Sequence, residues 1–275
     1  MRLDLNFDGG KNIKSKPVNL GYPNLINSAT GLAMDPYKIF ILFWAKEKFH
    51  ISVLDRYKMS PIFCQELPEI KDGHSILSTG KKLYVVSTGT DEIICYDILK
   101  NKLENPKSFW RADDAGKDTH HINSIVKMGD DIYVSAFGPK TGKLWTSASN
   151  GYIHNITRNA RIKEGINHPH SLSERNGQLY YCESSTRSFC SLDGQVLKLD
   201  GYTRGIGWLS DKLVCISSSI GRKVSKSTGL IANSADPGEI EGKSGIVIRN
   251  IETQEVLANV DLSSFGPEIY DVLIV

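Results

Sequence analysis

From residue 25 to its end the chain alternates short apolar runs with polar breaks. Val, Ile, Tyr and Phe fill the runs, and Gly, Asn, Asp or Ser separate them. No long stretch keeps the 3.6-residue period of an amphipathic helix, so the pattern predicts an all-β chain. The runs recur in one order. An opening strand carries a polar residue, then Ser, then aliphatics. A turn leads to a strongly apolar second strand that ends in Ser, and two further strands complete the unit. The openings are DGHSIL (Asp72 to Leu77), HINSIV (His121 to Val126), HPHSLS (His168 to Ser173), RGIGWL (Arg204 to Leu209) and EIYDVL (Glu268 to Leu273). Second strands end at Ser28, Ser87, Ser135, Glu183 and Ser217.

The segment ending at Ser28 has no opening strand before it, and Glu268 to Leu273 has no second strand after it. Ring closure resolves both. The expected architecture is a single β-propeller domain over residues 1–275, with five blades. The C-terminal strand joins the N-terminal blade, so the ring presents no free edge where it closes. Six blades is the alternative, because the last repeat is long. Its extra length, residues 221–245, is polar and Gly-rich and is expected as a surface insertion loop over one mouth.

In a propeller the first strand of each blade runs along the central channel, and alternate side chains enter it. Aligning the openings predicts two stacked rings. One holds Asp72, His121, His168, Arg204 and Glu268; the other holds His74, Asn123, His170, Ile206 and Tyr270. Four of the chain's seven histidines fall in these rings. Converging His, Glu, Arg and Tyr are the ingredients of acid–base chemistry. His74, His121 and His170 would move protons near neutral pH. Glu268 would orient or assist, Arg204 would hold an anionic group, and Tyr270 would donate to a developing oxyanion. Asp72, Asn123 and the loop residue Arg222 would contact substrate. Glu183 breaks the Ser column beside the HPH strand, where it can support a histidine from behind or pair with Arg187. A merely water-filled channel would also be polar.

His168-Pro169-His170 has the spacing of a chelating HxH. With His74 and His121 it would make a nitrogen-rich site for a divalent metal such as zinc, iron or manganese.

Composition narrows the classes. Hydrophobic content is 40% and charged content 23%, as in a globular domain. Net charge is only +2, which gives no footprint for nucleic acid or a membrane surface. Five cysteines without a CxxC pair predict free thiols and a cytoplasmic protein. The N-terminus has no signal-peptide core. No phosphate-binding or dinucleotide-binding glycine motif is present in the sequence.

The segment NHPHSLSERNGQLYYCESSTRSFCSLDG, followed by LDGYTRGIGWLSDKLVCISSSIGRK, carries a further signal. Pro169 to Ser171, Gly201 to Gly205 and Ser217 to Lys223 match the recurring phrases of a family. Over residues 167–223 the chain resembles bacterial β-propellers classed as conserved hypothetical proteins or as a domain of unknown function. The resemblance implies the propeller fold and points to His170, Arg204 and Arg222. It implies no reaction.

Two functions follow as expectations. The first is an enzyme of the lyase, isomerase, cyclase or hydrolase type. It would act in the channel on a small polar or anionic molecule derived from a sugar or amino acid. The alternative is a non-catalytic propeller that captures a protein or glycan, with Trp44, Trp110 and Trp145 as contact residues.

Overall fold

The apolar run KIFILFWA, Lys38–Ala45, shows how the blades form. It is buried on both faces along almost its whole length, as a central strand between two blades must be. The computed structural model describes residues 1–5, 13–220 and 244–275. Five antiparallel four-stranded sheets follow one another, each with its strands in sequence order. Blade 1 comprises Ser28–Met34, Lys38–Ala45, Lys48–Asp55 and Pro61–Glu66. Blade 2 comprises Gly73–Ser78, Lys82–Ser87, Glu92–Ile98 and Leu103–Arg111. Blade 3 comprises Ile122–Met128, Asp131–Ala136, Gly151–Asn155 and Ala160–Ile166. Blade 4 comprises Pro169–Arg175, Gln178–Glu183, Ser188–Ser191 and Val196–Lys198. Blade 5 comprises Tyr202–Trp208, Leu213–Ser219, Gly245–Asn250 and Val256–Asp261. The fold is a five-bladed β-propeller, as the repeat predicts.

The hydrophobic core is divided among the seams between blades. Phe40, Leu42 and Ile51 of blade 1 pack on Leu83 and Val85 of blade 2. Val86 and Ile93 of blade 2 pack on Ile125 and Val134 of blade 3. Tyr133 and Ile153 then meet Leu179 and Tyr181, and Cys182 and Phe189 meet Val214 and Ile216. Outer strands such as Leu103–Arg111 are mostly exposed. A strongly apolar second strand is therefore a consequence of two-sided burial between blades.

Closure differs from the sequence expectation. Ser28 does not end a second strand; it starts blade 1, which has all four of its own strands. The last residues, 267–275, form no strand and instead seal the seam between blades 5 and 1. Ile269, Val272 and Ile274 pack on blade 5, whereas Leu273 packs with Ile39, Ile41 and Leu54 of blade 1. Ile269 N–H donates to Ser219 Oγ at 3.0 Å, and Leu32 N–H donates to Asp271 Oδ2 at 2.9 Å. KIFILFWA is already paired with the strands before and after it, so the terminal segment cannot join it and takes a wedge position. The 221–245 insertion, with Arg222, lies outside the described residues except for its last two positions.

Every opening strand carries a register shift at the same place. The shifts fall between Ala29 and Gly31, Gly73 and Ile76, Ile122 and Ser124, His170 and Ser173, and Thr203 and Ile206. Such a bulge re-aims the following side chains. Aligning the blades on this shift puts Arg204, not Ile206, level with His74, Asn123 and His170. Tyr202 takes the place expected of Arg204, beside Asp72, His121 and His168. Those last three share a left-handed backbone, with φ of 49°, 55° and 53°. Asp and His are among the residues that tolerate it best.

Two outcomes test the closure. A Cβ on Gly205 would lie 2.6 Å from Val272 N and 2.7 Å from the Asp271 carbonyl carbon. Gly205→Ala should therefore cost about 1–3 kcal/mol by displacing the terminal segment. An unchanged melting temperature would show that the wedge adds nothing. Asp271 supplies the second test. Burial pushes its carboxyl up to about 7, against the pull of the Leu32 and Val272 amides. The folded state thus holds this proton more tightly than the unfolded chain. Its contribution to stability is complete below the ordinary value of 3.8 and is lost as pH rises through about 7. Wild-type protein should lose stability between about pH 4 and 7 relative to Asp271→Asn, and parallel melting curves would refute this.

Candidate functional site

The bulged strands build a two-level channel. The cavity measures 150 Å³. Thr30, His74, Asn123, His170, Arg204 and Tyr270 line one level. Two residues further along each segment, Leu32, Ile76, Ile125, Leu172, Ile206 and Val272 line the other. The site is thus a polar ring above an aliphatic floor, contributed by five strands and the terminal wedge. His74, Asn123, His170, Arg204 and Tyr270 come together as expected. Ile206 belongs to the floor. Asp72, His121, His168 and Glu268 do not line the cavity.

Two histidines are held by the same device. In blade 4, His170 Nδ1 lies 2.7 Å from Ser184 Oγ. Ser184 gives its own proton to the Thr203 carbonyl at 2.5 Å, so Nδ1 must be the donor to Ser184. In blade 2, His74 Nδ1 lies 3.0 Å from Thr88 Oγ1, and Thr88 donates to the Ile122 carbonyl at 2.6 Å. His74 Nδ1 is also 3.0 Å from the Asp72 carbonyl, which can only accept. Both rings therefore carry their proton on Nδ1 and keep the Nε2 lone pair. Blade 3 uses a shorter link: Asn123 Nδ2 donates directly to the Pro169 carbonyl at 2.8 Å, and Ser135 Oγ donates to Asn123 Oδ1 at 2.7 Å.

Arg204 is the unusual member. Its Nε and Nη1 are buried with no hydrogen-bond partner among the described residues. Its guanidinium lies 4.4 Å from the Tyr270 ring centre and 5.4 Å from that of Tyr202. Ring faces hold the cation without using its N–H groups. The cation acts on its neighbour: burial, and then the Arg204 charge, hold His170 well below the ordinary imidazole range. His170 is neutral at physiological pH.

The other expected residues have different partners. His121 donates toward the Asp118 carboxylate at 3.2 Å, and Asp118 also receives Trp145 Nε1–H at 3.0 Å. Burial, then the nearby His74, lower the His121 pKa to about 3. Burial, then the Asp72 charge, raise Asp118 to about 7. Asp118 was not legible as a site residue, although it sits in an acidic loop just before the His120-His121 pair. Glu183 supports no histidine; its Oε1 accepts from Asn167 N–H at 2.8 Å and Asn167 Nδ2 at 3.0 Å. Ser87 does the same for Lys71 N–H at the equivalent place in blade 2. Glu183 is thus a longer substitute for the Ser.

The four-histidine metal site is not assembled. Phe137 stands between its members. Its ring stacks on His168 at 4.4 Å, meets His170 edge-on at 5.0 Å and touches His121 at 4.6 Å. No three His, Cys, Asp or Glu side chains among the described residues are grouped to hold one ion. Phe137 occupies the position that Thr88 and Ser184 fill in their blades, which a count of histidines could not reveal. A search for His followed fourteen residues later by Thr or Ser would have found both relays. Trp44 and Trp110 pack against seam cores, and Trp145 is buried against His121.

Comparison with known proteins agrees with the fold. Among solved structures, the chain is similar to the PQQ-bound aldose sugar dehydrogenase of Streptomyces coelicolor, at 13% identity and a TM-score of 0.60. That match covers 90% of this chain and 85% of the other. A calcium-binding regucalcin from Agrobacterium tumefaciens matches at 11% identity and a TM-score of 0.58, covering 89% and 77%. A protein of unknown function from Bacteroides caccae matches at 11% and 0.56, covering 89% and 85%. At these identities the likeness concerns the fold alone. No curated protein matches the chain by sequence. The model of a family described as a domain of unknown function, DUF4915, matches residues 67–275, four of the five blades and the terminal wedge, and the chain belongs to that family.

Proposed function

We propose that the protein is an enzyme that holds a small anion in the polar ring of its channel and exchanges a proton with it through His170. The observation that carries this reading is the half-buried Arg204 guanidinium, whose buried Nε and Nη1 are unused beside a neutral imidazole. A buried cation left without an acceptor is costly. A carboxylate or phosphate oxygen from outside the chain completes it.

Binding and proton transfer are coupled by charge. In the empty site Arg204 disfavours protonation of His170. A bound anion offsets that charge, so the affinity of Nε2 for a proton rises when substrate is in place. Ser184 holds the ring by Nδ1 and points Nε2 toward the reacting group. The relay ends on a backbone carbonyl, so it orients the ring and carries no proton onward. Tyr270 covers one face of the guanidinium and stands at the same level, where its hydroxyl can serve a developing oxyanion. The chemistry is of the lyase, isomerase, cyclase or hydrolase type, in which a base and an anchored anion suffice. The sugar dehydrogenase and regucalcin neighbours show that propellers of this shape serve both redox and metal-binding proteins, so the shape leaves the reaction open. Five free thiols suit a reducing, cytoplasmic setting.

The anchor is tested by titrating acetate and inorganic phosphate into wild-type protein and Arg204→Met. Loss of a buried charge-assisted contact should weaken binding by at least about tenfold. Equal affinities would reject the site. The relay is tested by 15N NMR of labelled histidine. Wild-type His170 should show the Nδ1–H form, and Ser184→Ala should shift it toward the Nε2–H form usual in free imidazole. Should the two spectra match, Ser184 does not position the ring.

A further inference from the structure

The lower half of the cavity limits what the upper half can hold. Ser75, Ser124, Ser171 and Asp271 also line the cavity, each between a polar-ring residue and a floor residue in sequence; beyond them an Arg204-bound ligand reaches the floor, where Ile76, Ile125 and Leu172 offer no hydrogen-bonding group from their side chains. A hydroxyl placed there would lose its water partners without replacement. The end of the ligand away from the anionic group is therefore apolar. Size adds a second limit. A cavity of 150 Å³ holds roughly six to seven non-hydrogen atoms, close to the bulk of a benzene ring. Hexose phosphates and longer sugar acids exceed it.

Acceptors set the third limit. His74 and His170 both spend their Nδ1 proton on the wall, through Thr88 and Ser184. Each offers the cavity an Nε2 acceptor. A plain carboxylate satisfies Arg204 and brings no donor to these nitrogens. A donor on the carbon next to the carboxylate does, because that carbon sits level with the polar ring. A hydroxyl fits better than an ammonium, since Arg204 already supplies the positive charge at this level.

Resting on the anion-site reading above, we infer that the channel binds a small aliphatic 2-hydroxymonocarboxylate, with the carboxylate on Arg204, the hydroxyl donating its one proton to the Nε2 atom of His170 and the alkyl group on the floor.

The test is a calorimetric series on the intact wild-type protein. The probes are 2-hydroxybutyrate, butyrate, 2-aminobutyrate, glycerate and inorganic phosphate. The inference expects 2-hydroxybutyrate to bind at least about tenfold more tightly than butyrate, since a buried acceptor is left unpaired with the latter. It also expects 2-hydroxybutyrate to exceed 2-aminobutyrate, and glycerate, whose second hydroxyl meets the floor. Arg204→Met should abolish the strong binding, with its fold checked by circular dichroism and melting. Equal binding of butyrate and 2-hydroxybutyrate, both lost in Arg204→Met, would overturn the inference and leave the anion site standing. Binding of no probe, or binding indifferent to Arg204, would overturn both. If Arg204→Met does not fold, Arg204→Lys replaces it, and the wild-type series alone still decides between hydroxy acid and plain acid.

Discussion

Three of the ring's seams share one hydrogen bond, from a polar side chain near the axis of a blade to the opening strand of the next. Its acceptors are the carbonyls of Ile122, Pro169 and Thr203, which occupy equivalent positions in blades 3, 4 and 5. Its donors are Thr88, Asn123 and Ser184. The bond is made where strands converge on the axis and backbone carbonyls would otherwise face a dry seam. Hydrophobic burial holds the blades together farther out, in the seam cores. The inner bonds set the register in which those seams meet. At the seam between blades 5 and 1 the matching bond runs to the terminal wedge, from Ser219 Oγ to the Ile269 carbonyl at 3.4 Å, with Asp271 as a second polar anchor.

The same bonds prepare the chemistry. A hydroxyl that must satisfy a carbonyl with its only proton can meet a histidine only as acceptor. The tautomer of His74 and His170 is thus a by-product of blade joining. Asn123 meets the structural need without an imidazole, so the channel has two histidine acceptors at this level rather than three. Burial then keeps His170 neutral, and the one cation of the ring, Arg204, rests between aromatic faces with N–H groups to spare. A neutral base and an unsatisfied cation side by side make a site waiting for an anion. Asp118, raised by burial to about 7, titrates under physiological conditions beside His121 and Trp145.

Much of this was legible beforehand. Alternating apolar runs in a fixed order define five blades because each blade needs a two-sided apolar strand and an opening strand with polar channel positions. His74, Asn123, His170 and Tyr270 were placed correctly, since strand side chains alternate. Arg204 was named correctly but set one level too high. The bulge in every opening strand adds a residue, and an alignment by residue type slipped in blade 5, where Gly205 replaces the Ser. Glu183 drew attention because it broke a column, yet it makes the backbone contact of the Ser it replaces.

The sequence by itself determined the fold class, the number of blades and which residue types reach the axis, because those follow from local periodicity and repeated burial. Tertiary structure alone decided the rest. Whether His121, His168 and His170 share an ion depends on Phe137, which reaches them across two blades. The base strength of His170 depends on burial and then on the Arg204 charge from the neighbouring blade, and the protonation of Asp271 on burial between blades 5 and 1. Charge, desolvation and ring packing act across distances in space that have no counterpart in spacing along the chain.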